Sequence, residues 1–288
     1  MVCLQQSLFN RTGRNYSRYT MRANMLKKVL IRIDYSGVTD INEWIKEFKA
    51  NADLSSHFCK YRKEVQNQAS FNISNMEEIA QSRSIPLKAF QSEPLHRFSE
   101  ASFRGEGEEA DREDKVVMEV TGLFMSFTID CINYKNMDVY IDFLCKYIQA
   151  FISNDRFIDI QRIGIRKVGG DVFRNLDEFA ETFETNIFAT PDVANLNGLL
   201  IDREYHDRII KSDGTVKVNF SRRCRAIPAE NGSFVYQALL DIDGYVDNGI
   251  IQNKGYKFPG DFENVLKEKI NDYLFDLYKL SVTEQYLR

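Results

Sequence analysis

Gln161-Arg162-Ile163-Gly164-Ile165-Arg166 reads as a β-strand placed directly after an amphipathic helix. Strand side chains alternate with a period of two, so Arg162, Gly164 and Arg166 share one face and Ile163 and Ile165 the other. A glycine between two guanidinium groups predicts a gap that another backbone or a ligand can enter. Upstream, Tyr140, Leu144, Tyr147, Ile148 and Phe151 form one stripe of a helix running from about Asp138 to Ser153. Downstream, Gly169-Gly170 predicts a loosening of the chain. Asn175 and Glu178 then predict a cap, and the spacing of Leu176, Phe179, Phe183 and Ile187 a further helix.

The flanks repeat these patterns. Val29 to Tyr35 predicts a strand, and Asp40 with Glu43 caps a helix carrying Ile41, Trp44, Ile45 and Phe48. Strand character follows at 58–73 and from Arg97 to Phe103, with a short helix expected between Glu77 and Pro94. Gly105 to Asp114 is an acidic connection that buries nothing. Val116, Met118 and Val120 alternate in one phase, and Leu123, Met125, Phe127, Ile129 and Cys131 in the other. The flip at Thr121-Gly122 predicts a hairpin in preference to a bulge. In the second half, Leu199 to Ile210 turns at Ser212-Asp213-Gly214 into Val216, Val218 and Phe220, and a third strand runs through Phe234 to Ile242. The last helix starts near Asp261.

Short turns between adjacent strands imply antiparallel pairing, so the expected class is α+β, antiparallel sheets packed by helices. The strands at 116–166 and 199–243, each flanked by helices, hint at two similar halves, 26–173 and 174–288, or one composite domain. Residues 1–25 stand apart. Arg11, Arg14, Arg18 and Arg22 occur there without an acidic residue, which leaves three readings open: an upstream start codon with Met25 as the true start, a disordered basic arm, or a transit segment.

The 288 residues suffice for a sizeable core without staples. A net charge of -4 argues against a protein held on nucleic acid by its global field, though not against a local basic patch. Cys3, Cys59, Cys131, Cys145 and Cys224 show no CxxC spacing and read as reduced, cytoplasmic thiols. No apolar run approaches the ~18 residues of a membrane span, so no membrane association is expected.

From Phe127 to Arg166 the chain resembles a sporadically distributed family of uncharacterised prokaryotic proteins. Tyr134 before a helix, then Arg162-Ile163-Gly164-Ile165-Arg166, is similar to that family's Arg-Ile-Gly-Leu-Arg-Tyr-Ile-Asn run, and Phe275 to Thr283 is similar to its C-terminal tail. The likeness spans Met25 to Arg288. Lys167 stands where the family has Tyr and Gly169 where it has Asn. The resemblance implies a prokaryotic origin and carries no activity with it.

Two clusters are candidate binding sites. Arg162, Gly164 and Arg166 would clamp a phosphate or carboxylate, or else pair with acids on neighbouring strands. Arg222, Arg223 and Arg225 end a strand on which Lys217 shares the alternation of Arg223 and Arg225. That face would track a phosphate backbone with Tyr236 or Tyr245 stacking on bases, or simply solvate a strand end. Asp241, Asp243 and Asp247 around Gly244 miss the spacing of a calcium loop. His57, His96 and His206 fall in no metal-ligand spacing, His57 and Cys59 are poorly placed as base and nucleophile, and there is no GxSxG, Walker loop or GxGxxG. No cofactor or metal is expected. The leading expectation is a non-catalytic binding or assembly component of an accessory prokaryotic system of mobile-element or defence type, with a protein partner or self-association. Nucleotide or single-stranded nucleic-acid binding is the alternative, and an enzyme with a dispersed site the third reading.

Overall fold

The computed structural model describes residues 25–68, 91–104, 113–131, 134, 137–154, 156–184, 187–188, 202–229 and 233–287. The basic leader up to residue 24, positions 77–90 of the Glu77–Pro94 stretch expected to hold a short helix, and positions 105–112 of the Gly105–Asp114 connection lie outside them; Met25 is buried in the core, and 91–94 and 113–114 are strand. Strands β1 (Leu26–Ser36), β2 (Lys60–Gln68), β3 (Gln91–Arg104), β4 (Glu113–Val120), β5 (Phe124–Asp130), β6 (Asp159–Phe173), β7 (Asp202–Ile210), β8 (Lys217–Pro228) and β9 (Phe234–Asp247) join one sheet. Its order is β2-β3-β4-β5-β1-β6-β9-β8-β7, with every neighbouring pair antiparallel. The helices are α1 (Ile41–Ala50), α2 (Ala52–Ser55), α3 (Met137–Asn154), α4 (Leu176–Thr182), α5 (Asn248–Lys254), α6 (Phe262–Asn264), a π-helical stretch at Val265–Asn271, α7 (Asp272–Ser281) and α8 (Glu284–Leu287). The expected α+β class is what the chain adopts. The sheet passes straight through the boundary at residue 174, because β6 pairs with β9 from Arg162↔Asp247 to Phe173↔Tyr236.

Local chemistry accounts for most of these elements. Asp40 caps α1 by accepting from the backbone N–H groups of Asn42 (2.8 Å) and Glu43 (3.2 Å). Asn175 caps α4 by accepting from Glu178 N–H. The Thr121-Gly122 hairpin forms as expected, with Val120 opposite Met125 and the buried Thr121 hydroxyl accepting from the N–H groups of Leu123 and Phe124. Gly214, with φ +67°, turns β7 into β8.

Two expectations are corrected. Helix α4 stops at Thr182, and Phe183 leaves it to bridge Val282. Phe183 is nevertheless buried, its ring 5.0 Å from Phe179 and 4.4 Å from Phe188, so its apolar spacing reported burial and not helix. Gly169-Gly170 does not loosen the chain; both lie inside β6.

The helices gather on one face of the sheet. Tyr35 of β1, Trp44 of α1 and Phe151 of α3 pack with ring centroids under 5 Å apart, and Phe48 of α1 meets Phe98 of β3. Phe127 of β5 meets Tyr147 of α3, Phe173 of β6 meets Phe179 of α4, and Gly244 of β9 admits Ile270 and Leu274 of the C-terminal helices. All these strand residues sit on the same pleat face. One hydrophobic core results, and no helix of the described residues is long and apolar enough to cross a membrane.

Candidate interaction face

The helix-free pleat face carries most of the charged positions singled out in the sequence. Opposite phases of β6, β8 and β9 point into the core, so Arg162, Gly164, Arg166, Lys217, Arg223 and Arg225 all fall on this second face. The structure therefore unites two clusters that lie far apart in sequence. Arg222 and Tyr236 do not belong with them. Arg222 is one residue out of phase and buried on the helix side, where its Nη1 donates to Ile187 O (2.9 Å) and its Nη2 pairs with Asp207. Tyr236, opposite Ala226 and Phe173, packs against the core, so it cannot stack a base beside Arg223. Tyr245 occupies the open face instead.

Arg162, Arg166, Lys217, Arg223 and Arg32 of this face each meet a carboxylate. Arg162 Nη2 donates to both carboxylate oxygens of Asp243 at 3.0 Å, and its Nη1 lies 3.6 Å from Asp34. Arg166 grips Asp241 through Nε (2.9 Å) and Nη2 (2.5 Å), and Asn219 adds a donor to Asp243 at 3.2 Å. Lys217 pairs with Asp247, Arg223 with Asp202, and Arg32 with Asp34 at 2.6 Å. The hydrogen bond from Arg166 to Asp241 holds that guanidinium above its ordinary pKa, and the bond from Arg223 holds the Asp202 carboxyl below the usual range. A phosphate binding here would have to displace these partners.

The gap expected at Gly164 is filled. A Cβ there would lie 3.3 Å from Tyr245 Cβ and 3.4 Å from Arg162 Nη2, because Arg162 folds over the glycine onto the Tyr245 ring, 4.5 Å from its centroid. Gly164 thus lets an arginine reach diagonally to Asp243. Asp243→Ala would strip Arg162 and Asn219 of a shared, half-buried acceptor. We expect a loss of about 1 to 2 kcal/mol in denaturant unfolding. Asp130→Ala, whose Lys28 pair is more than half exposed on both sides, should change almost nothing.

Sequence reading missed a relay on the same face. His206 Nδ1 lies 2.7 Å from Ser221 Oγ, and His206 Nε2 3.4 Å from Glu204 Oε1. Glu204 and His206 share a face of β7 by alternation, and the register of β7 on β8 sets Ser221 opposite His206. The order Ser-His-Glu matches the roles of a hydrolytic triad. Its setting does not: Ser221 lies mid-strand between β7 and β9, so the nearby backbone N–H groups serve the ladders, and its partner on β9 is Asp241, a carboxylate.

The chain matches no family model and no curated protein.

A second polar cluster ties the layers together. Lys167 donates to Asn271 Oδ1 at 2.6 Å, and fully buried Asn271 donates to Asp138 at 3.3 Å. Sheet, π-helical stretch and α3 are joined there. Among the described residues no group of three or more His, Cys, Asp or Glu side chains is placed to hold a metal.

Proposed function

We propose that this protein is a non-catalytic binding component that receives a protein partner on the open face of its sheet. The supporting observation is the one-sided helix layer: among the described residues nothing covers the other face, which is tiled with alternating charges around exposed Val172 and Leu239. A surface of matched ion pairs discriminates by register and sign, a property of specific protein recognition more than of phosphate tracking. Mobile-element or defence-type prokaryotic context follows from the motif resemblance alone. The same reading keeps two similar halves, 26–173 and 174–288, each combining antiparallel strands with helices.

Native mass spectrometry of the protein recovered from its host's lysate tests this, with wild type beside Leu239→Glu. A stoichiometric protein partner that is lost from Leu239→Glu is the expected result. A nucleotide or oligonucleotide mass on the wild type would overturn the reading in favour of nucleic-acid binding. A partner retained by Leu239→Glu would move the interface off this face.

A further inference from the structure

We propose that two copies of this chain join edge to edge through β7, around a two-fold axis at Tyr205. Strand β7 ends the sheet, and its only described strand neighbour is β8. Edge strands are ordinarily blunted by proline, bulges or clustered like charge. Strand β2, at the opposite edge, carries Lys60, Arg62 and Lys63. Strand β7 contains no Pro or Gly, its register against β8 runs unbroken from Asp202↔Arg225 to Ile210↔Lys217, and its charges alternate in sign, so they repel a copy only out of register. It also exposes Tyr205 (39%) and Ile210 (65%).

The charge order is what identifies the occupant. Asp202-Arg203-Glu204-Tyr205-His206-Asp207-Arg208 is a palindrome of opposite signs. Antiparallel pairing with its own copy about Tyr205 sets Asp202 against Arg208, Arg203 against Asp207, and Glu204 against His206, each twice by symmetry. Residues directly opposite in an antiparallel pair share a face, so every one of these contacts is between opposite charges or a carboxylate and an imidazole. Tyr205 meets Tyr205 at the centre. An isologous contact needs such a self-complementary patch. A shift of one residue in either direction destroys the match, which fixes the register as well as the partner. The two-fold runs perpendicular to the sheet, so the open faces of both copies continue into one another. The inference does not rest on the open-face reading, since Leu239 lies two strands in from this edge.

Sedimentation velocity on the full chain at micromolar concentration is the test. Wild type is expected to be a dimer. Arg208→Asp sets two carboxylates opposite each other at both symmetric positions, and is expected to weaken the dimer by at least about tenfold. Asp202→Arg does the same with two guanidinium groups. Mixing the two variants restores every opposite-charge pair and should return a heterodimer. Circular dichroism checks the fold of each; if Asp202→Arg, which loses its Arg223 contact, does not fold, Arg208→Asp against wild type decides alone. A monomeric wild type, a dimer indifferent to Arg208→Asp, or two folded variants that stay monomeric when mixed would each overturn the proposal.

Discussion

Gly170→Ala is expected to destabilise the fold by about 3 kcal/mol or more, although it adds a single methyl group. Strand β6 sits at the middle of the sheet, held by β1 on one side and β9 on the other. At Gly169 and Gly170 both neighbours come unusually near. A Cβ on Gly170 would lie 2.2 Å from the carbonyl oxygen of Ala238 in β9, and one on Gly169 2.7 Å from that of Met25 ahead of β1. Gly170 N–H meanwhile donates to Met25 O at 3.0 Å. The pairing with β1 shifts register here, between Leu26 and Lys28. The glycines thus let a central strand absorb an irregularity while keeping both ladders. The clashing atom on Ala238 is backbone, so relief requires moving β9, and with it Leu240 and Ile242 of the core. Gly164→Ala is the control. Its nearest contacts are 3.2 to 3.4 Å, partly with the movable Arg162 side chain, so a loss of about 1 kcal/mol is expected. Urea unfolding of the two variants side by side measures the contrast. Equal losses would mean that the close approach at Gly170 is not what holds the seam.

That same seam marks where sequence reasoning gave out. Element types were legible because period is a local property: Val29 to Tyr35, the Tyr140 to Phe151 stripe and the phase flip at Thr121-Gly122 all declare themselves within a few residues. Strand order is not local. That β1 lies between β5 and β6 depends on pairings about a hundred residues apart, and no short-range pattern reports them. Gly169-Gly170 looked like punctuation for this reason, since only the presence of two close neighbours reveals that the glycines admit backbone. Arg222 is separable from Arg223 and Arg225 by parity alone, since the alternation that joins Lys217 to Arg223 and Arg225 leaves it on the other face. Tyr236 against Tyr245 required the register of β9, and the His206–Ser221–Glu204 relay that of β7 on β8. The charge palindrome of β7 was visible as text, but it acquires meaning only once β7 is known to end the sheet.

The largest pH effect should come from a histidine outside the interaction face. His96 of β3 is 1% exposed, shares a 2.9 Å hydrogen bond with the Tyr61 hydroxyl, and has a buried Nε2 without a hydrogen-bond partner. Burial, with Lys63 and Lys49 nearby, lowers its pKa from 6.5 to about 4. The folded protein therefore holds this imidazole neutral while the unfolded chain takes up a proton below 6.5. Stability is unaffected above that value and is lost as pH falls toward about 4, where the loss levels off. Between pH 7 and pH 5 the linkage amounts to about 2 kcal/mol. The carboxylates contribute in a different window: Asp202, held low chiefly by its bond from Arg223, gives stability present above its ordinary value of 3.8 and lost only below it. His96→Phe keeps the ring volume among Tyr61 and Phe98 and removes the titrating group, leaving the Tyr61 hydroxyl to water. Urea unfolding at pH 7 and pH 5 should show the wild type losing about 2 kcal/mol and His96→Phe losing almost none. If both lose the same amount, the acid sensitivity in that window originates elsewhere and His96 is already solvated in the folded state.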